Sequence, residues 1–268
     1  HNDRRINNKR QSVMLSRIGI FTYGVVCYAI FFCSFLYLIG FVANFGVPRS
    51  VDVGSSVGGT SAFLINLGML SLFGLQHSIM ARPWFKRRWT RIVPASAERS
   101  TYVLFSSLAL ILLYVAWQPL PGVIWGSTDA VATSVGYAGM ALGFALVLVA
   151  TFLIDHFDLV GLKQVTLTLL QRRQTPAPFQ VRYLYKFVRH PLYLGWLIAF
   201  WVTPVMTLGH LMFALGMTAY ILVAVQYEER DLIDAFGEDY QRYRDQVPML
   251  VPVPGQSHQT VKPQGDIA

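Results

Sequence analysis

Two short polar stretches in an otherwise apolar chain hold the residues that could do chemistry. The first is Tyr185-Lys-Phe-Val-Arg189-His190-Pro191-Leu-Tyr193-Leu-Gly195, at the entrance to the apolar run 192–226. The second, at its exit, is Glu228-Glu229-Arg230-Asp231, followed by Phe236-Gly237-Glu238-Asp239-Tyr240. Charged groups are costly near lipid, so polar clusters flanking a membrane hairpin point to a site. Pro191 leaves backbone groups free at a helix start, and such backbone persists at membrane depth only under protein or beside a cavity. A helix N-terminus favours an anion, and Arg189 can hold a carboxylate in bidentate fashion. The rings of Tyr185 and Tyr193 offer faces to a cation or an adenine. Gly195 permits close approach of a ligand. Glu228 and Glu229 accept from an amino group or ribose hydroxyls. A ligand that suits the set has a carboxylate, an ammonium, a sulfonium and an aromatic base. S-adenosylmethionine has all four.

The elements that position these residues are membrane helices. The 268 residues are 54% hydrophobic and 13% charged, against about a quarter charged in a soluble domain. The apolar residues come in blocks near bilayer length. Six spans are expected, at about 18–42, 62–80, 101–117, 132–154, 192–207 and 209–226. The last two form a hairpin short enough that they need not cross fully, so the chain reads as an all-α integral membrane protein with five to six transmembrane helices. The first apolar run is long enough to span and has no small-residue cleavage site behind it, unlike a secretory signal. Residues 1–254 read as one domain, with the cofactor-binding part at about 155–250. The Pro/Gly-rich tail 255–268 is expected to be disordered.

Every Lys and Arg except Arg49 falls in the N-terminal segment, the loops 81–100 and 155–191, or the segment after the last span. The positive-inside rule then places both termini and both basic loops in the cytoplasm. The +8 net charge is accounted for in this way, without nucleic acid. Ala81 to Pro94, where Trp84 and Trp89 stand among Lys86, Arg87, Arg88 and Arg91, reads as an interfacial helix touching membrane lipids. A short amphipathic helix is expected at 160–172, then a turn at Pro176 and Pro178. Ser96 and Glu98 are candidate caps for the third span. The outer loop 43–61 reads as a Gly/Ser linker and His210 as a turn residue. Polar residues gather at the cytoplasmic span ends: Gln76 and His77, Asp155, His156 and Asp158, Arg189 to Tyr193, and Glu228 to Arg230. That asymmetry predicts one polar, cytoplasm-facing cofactor pocket and argues against a continuous ion pathway. Cys27 and Cys33 fit neither a disulfide nor a metal spacing, and no metal site is expected.

The paired elements carry a resemblance. Tyr185-x-x-x-Arg189-His190-Pro191-x-Tyr193-x-Gly195, then Glu228-Glu229, Phe236-Gly237-Glu238-x-Tyr240-x-x-Tyr243 and Val247-Pro248, resemble the isoprenylcysteine carboxyl methyltransferase superfamily. Its members include phospholipid methyltransferases. The resemblance implies that Tyr185, Arg189, His190, Pro191, Tyr193, Glu228 and Glu229 bind S-adenosylmethionine. Gln76-His77-Ser78-x-x-x-Arg82-Pro83, Arg91-Ile-Val-Pro94, Glu98-Arg99-Ser100-x-Tyr102 and Asp155-His156-Phe157-Asp158-x-x-Gly161-Leu-Lys163-Gln164 are similar to a narrower branch, the NnrU-like bacterial methanethiol S-methyltransferases. That similarity implies a small thiol substrate and dimethyl sulfide as product. Two departures stand out. The arginine that precedes the paired glutamates in the prenylcysteine branch is replaced by the apolar turn Leu222 to Val225, which suits a small apolar substrate. Tyr183 stands near where the superfamily has glycine.

A thiol near neutral pH must lose its proton to become a nucleophile. The candidate general bases are His156, Asp158, Asp155 and His77, with His156 and Asp158 ahead. Two other readings compete: methyl transfer to a lipid amine or other lipophilic acceptor, and a non-enzymatic membrane component or transporter. No protein partner is implied.

Overall fold

The computed structural model describes residues 2–175 and 179–252, with side chains from Met14 onward. The expected disordered tail, the proline turn at 176–178 and the first basic side chains lie outside the described residues. Five helices are long and apolar enough to cross a membrane: Met14–Ala43 within α1 (Asn2–Ala43), α2 (Gly59–Ala81), α4 (Glu98–Ala116), α5 (Ala130–Ile154) and α9 (Leu208–Phe236). The short helices are α3 (Pro83–Trp89), α6 (His156–Leu159), α7 (Leu162–Leu169), α8 (Pro191–Trp201) and α10 (Glu238–Gln246). A 3-10 turn covers Tyr183–Lys186, and two strands, β1 (Val123–Gly126) and β2 (Val205–Thr207), form the described sheet. The chain is a multi-pass helical membrane protein. It divides into two compact units.

The first unit comprises His1–Phe41, Leu64–Trp117 and Asp155–Thr175. Aromatic rings join α1 to α4: Tyr37 stacks on Tyr114 with centroids 4.9 Å apart, and Phe41 meets Tyr114 and Trp117. The Tyr114 hydroxyl donates to the Ser34 carbonyl. The expected interfacial helix is only seven residues long, Pro83–Trp89, because Thr90 to Val93 close as turns on the last carbonyls of α3. Neither Ser96 nor Glu98 caps α4: its N-cap is Ala97, without a side-chain bond. The expected amphipathic helix at 160–172 is the shorter α7, started by Gly161 at φ +85°. A Cβ at Gly161 would lie 2.5 Å from the Ser100 nitrogen, so only glycine fits this approach.

The second unit comprises Val42–Phe63, Gln118–Ile154 and Pro176–Ala268. Its centre is the antiparallel pair α5 and α8. Cβ atoms built on Gly136, Gly139, Gly143 and Gly195 would strike Pro204, Val202, Ala199 and Val147 at 2.4–2.8 Å. Small residues let the two backbones touch, which is how helices associate when lipid provides no hydrophobic drive. The expected span 192–207 is helical only to Trp201. The helix ends there, and Val205–Thr207 pairs with Val123–Gly126 as β2. The 11 residues of α8 cover roughly 16 Å at helical rise. The residues after it turn rather than extend, with the Thr203 amide on the Trp201 carbonyl, so α8 and the three residues of β2 make a shorter pass than a hydrocarbon core of about 30 Å. The far end of this pass is tied to the loop after α1: Thr207 donates to Asp52, which also accepts from Asn44. That loop is therefore an organised turn rather than a linker, with Ser50 and Asn44 bonded to each other. His210 is not a turn residue. It is wholly buried, and its Nε2 lies 2.9 Å from the Phe200 carbonyl near the helix break.

Candidate functional site

The second unit brings the two polar stretches together. Pro191 takes the first position of α8, where its missing N–H costs nothing, and His190 sits before it as N-cap. α9 runs past the apolar segment to Phe236, so Glu228 and Glu229 are consecutive residues of a continuous helix. Glu229 Oε1 lies 2.8 Å from Arg189 Nε and 3.0 Å from His190 Nε2. All three side chains are nearly closed to solvent. Glu228 Oε2 accepts from the Tyr193 hydroxyl at 2.7 Å. Tyr193 and Glu228 are half-buried.

The chain after α10 closes the junction. Arg189 Nη1 donates to the carbonyls of Arg244 and Val247 at 2.7 and 2.6 Å. The backbone amides of Arg189 and His190 donate to the carbonyls of Pro248 and Met249. Arg189 is thus engaged by the protein on two of its three nitrogens, and it staples α8, α9 and the C-terminal strap together. The Tyr243 hydroxyl donates to the Tyr185 carbonyl at 2.6 Å, fixing the 3-10 turn on α10. Tyr183 enters that turn at φ +50°, a left-handed conformation that favours glycine.

The charges do not balance. Glu229 faces Arg189 and His190. Glu228 meets only a phenol, and no cation pairs with it among the described residues. The Tyr185 hydroxyl is buried without a hydrogen-bond partner. Burial pushes this phenol well above its ordinary value, and the Glu228 charge adds to the rise. The Tyr240 and Tyr243 phenols are likewise pushed up by burial.

The four candidate bases lie in the first unit. Asp155 is the N-cap of α6, with Oδ1 accepting from the Asp158 amide at 3.1 Å and Oδ2 paired with Lys163. Burial alone would raise its carboxyl, but the Lys163 ammonium and the Asp158 amide outweigh that and hold it below the usual range. Asp158 Oδ1 accepts from Gln174 at 2.6 Å and Gln164 at 3.3 Å. His156 is buried with Nε2 3.2 Å from the Tyr28 hydroxyl. Burial lowers its imidazole below 6.5, against a smaller upward pull from Asp155. His77 Nδ1 lies 2.9 Å from Ser106 Oγ on α4. Among the described residues no group of three or more His, Cys, Asp or Glu could hold a metal ion.

Two features of the junction were not singled out from sequence. One is the strap of carbonyls at 244–249. Backbone acceptors leave no mark on residue type, although Val247-Pro248 belongs to the motif. The other is Tyr240, also in the motif, whose hydroxyl is buried without a partner.

Fold and junction define a multi-pass helical membrane protein built around a paired Arg-His-Pro and Glu-Glu clasp. The chain is 50% identical over 241 residues to the methanethiol S-methyltransferase of Crocosphaera subtropica, covering 90% of this chain and 94% of that protein. It is 52% identical to methanethiol S-methyltransferase 2 of Bradyrhizobium diazoefficiens, covering 89% and 92%. It is 50% identical to the methanethiol S-methyltransferase of Mycobacterium tuberculosis, covering 87% and 95%. The chain belongs to the methanethiol S-methyltransferase family. No family model matches it, and no solved structure matches it.

Proposed function

We propose that this chain methylates the sulfur of methanethiol, with S-adenosylmethionine as donor, and releases dimethyl sulfide. What supports this above all is the 50% identity, over 90% of the chain, to a protein of that name. The residues of the second unit fit the donor in charge. The half-buried Glu228 carboxylate, without a cation, suits an ammonium or sulfonium. The unpartnered Tyr185 hydroxyl suits an acceptor atom on the same ligand, since a buried donor left alone costs about 1–3 kcal/mol. Arg189 and His190 act on Glu229, fixing α9 against the start of α8 so that Glu228 and Tyr193 stay in register.

When bound, the sulfonium supplies a methyl group whose leaving group departs as a neutral thioether. The thiol gives up one proton as its sulfur gains the methyl, so a base must take it. We assign that proton to His156 on its chemistry. Burial holds its imidazole below 6.5 and so neutral near pH 7, with Nε2 beside the Tyr28 hydroxyl. Asp155 and Asp158 are already engaged by Lys163, Gln164 and Gln174. The Lys and Arg asymmetry supports an inner-membrane setting with both termini and the cofactor residues facing the cytoplasm. Single-cysteine labelling at residues 54 and 172 tests the orientation, with only the first expected to react from outside.

The activity test uses purified protein in detergent micelles with S-adenosylmethionine and methanethiol. Dimethyl sulfide in the headspace and S-adenosylhomocysteine in solution should appear one for one. Turnover on a lipid amine but not on methanethiol would replace the substrate. Calorimetry without any binding of S-adenosylhomocysteine would favour a non-enzymatic membrane component.

A further inference from the structure

Tyr240 is an unusual residue to leave without a hydrogen bond. Its side chain is 2% exposed, and its hydroxyl has no partner among the described residues. A hydroxyl buried alone costs about 1–3 kcal/mol, and a phenylalanine at the same place would avoid that cost. The ring does not explain the choice. It packs edge-on against Phe179 and Tyr243, with centroids 5.9 and 5.8 Å away, and Phe would make the same contacts. Nor do local acceptors explain it. Glu229 and Glu228 are close enough to act on the phenol, yet Glu229 is held by Arg189 and His190 and Glu228 by Tyr193. Tyr243, three residues on, makes the contrast clear, because its hydroxyl has a protein acceptor in the Tyr185 carbonyl.

We propose that Tyr240 is a cofactor-binding residue whose hydroxyl donates to an acceptor on the adenosine half of the methyl donor. This rests on the cofactor reading above. Two features select the adenosine half. The ring stands in an aromatic cluster with Phe179, Phe236 and Tyr243, surroundings that suit a flat purine. Arg189 and Arg244 also act on the phenol, but they are paired with Glu229 and Asp245, whereas Glu228 has no cation and favours the ammonium of the amino-acid half. A phenol is a donor that suits purine nitrogens and ribose oxygens and carries no charge of its own. Glu228 then serves the cationic end and Tyr240 the adenosine end.

The test is isothermal calorimetry of full-length wild type and Tyr240→Phe in micelles. Its two ligands are S-adenosylhomocysteine and 5′-methylthioadenosine, which keeps the adenosine but lacks the amino-acid end. The dissociation constant should rise about tenfold for both ligands, the scale of one lost hydrogen bond. The Tm of the unliganded variant should stay level or rise, whereas Tyr243→Phe should lower it. Unchanged affinities in Tyr240→Phe overturn the assignment. So does a loss confined to S-adenosylhomocysteine, which would put the acceptor on the amino-acid end. Wild type that binds neither ligand removes the cofactor reading itself, and this assignment with it.

Discussion

Glu229→Ala is the sharpest test of the junction. The carboxylate accepts from Arg189 at 2.8 Å and His190 at 3.0 Å, with Arg189 and Glu229 side chains 11% and 12% exposed. Screening at that burial is weak, so the discount due to a surface pair does not apply. Two hydrogen bonds to a charged group are worth about 1.5–3 kcal/mol each, and removing one partner of a buried pair costs about 3–5 kcal/mol. Arg189 keeps its bonds to the Arg244 and Val247 carbonyls, so the expected loss is at the low end, about 3 kcal/mol. Glu229→Gln keeps an acceptor and loses the charge, and should cost about half as much. Equilibrium unfolding in mixed micelles, followed by tryptophan fluorescence, measures both. The double variant Arg189→Met with Glu229→Leu removes the charges together but also the donor to the Arg244 and Val247 carbonyls, so it should regain only part of the stability. It should still bind S-adenosylhomocysteine poorly, because α8 is no longer held in register with Glu228. Stability of Glu229→Ala within about 0.5 kcal/mol of wild type, the range of a neutral surface change, would refute the reasoning.

His156→Ala should leave S-adenosylhomocysteine affinity within about twofold and lower turnover by about 10²–10⁴, the usual contribution of a positioned base. The same residue predicts a pH effect. Its folded value lies below the ordinary 6.5, so the unfolded chain binds the proton more readily, and stability is full above pH 6.5 and declines as pH falls below it. Unfolding measured from pH 7.5 to 5 should show that decline in wild type, and His156→Gln should flatten it. Tyr183→Gly relieves a left-handed residue at φ +50° that costs about 1–2 kcal/mol. The Tm should rise slightly, and a fall would show that the exposed ring has a role. Gly143→Leu drives a side chain into Ala199, whose nitrogen lies 2.4 Å from an added Cβ. With backbone on the far side, the pair cannot give way, and the variant should fail to elute as a monodisperse peak in size-exclusion chromatography.

The long helices were legible because composition alone decides them: α1, α2, α4, α5 and α9 match five expected spans within a few residues, α9 running on to Phe236. The short α8 was not. Leu192 to Trp201 is strongly apolar, whereas Val202 to Thr207 holds two threonines and Pro204, a break that hydropathy averaged over the run hides. Pro204 marks the end of the helix locally, but the pairing of β2 with β1, some 80 positions earlier in sequence, leaves no local signal. Tyr185, Arg189, His190, Tyr193, Glu228 and Glu229 were legible as a set because charge at membrane depth is conspicuous. Their individual bonds were not. Arg189 was expected to meet a ligand carboxylate, whereas two of its nitrogens meet Glu229 and the strap. Asp52 and His210 drew little attention from sequence, yet the bonds of Asp52 to Thr207 and of His210 to Phe200 secure the far end of the irregular pass.

The backbone bonds from Arg189 and His190 to Pro248 and Met249 impose an order on the making of the protein. The membrane helices can enter the bilayer as they leave the ribosome, but the clasp of Arg189, His190 and Glu229 cannot close until the strap has been synthesised and has folded back. A nascent chain interrupted before that point would be inserted yet incompetent. Closure of the junction is thus withheld until the residues at 244–249 have been made.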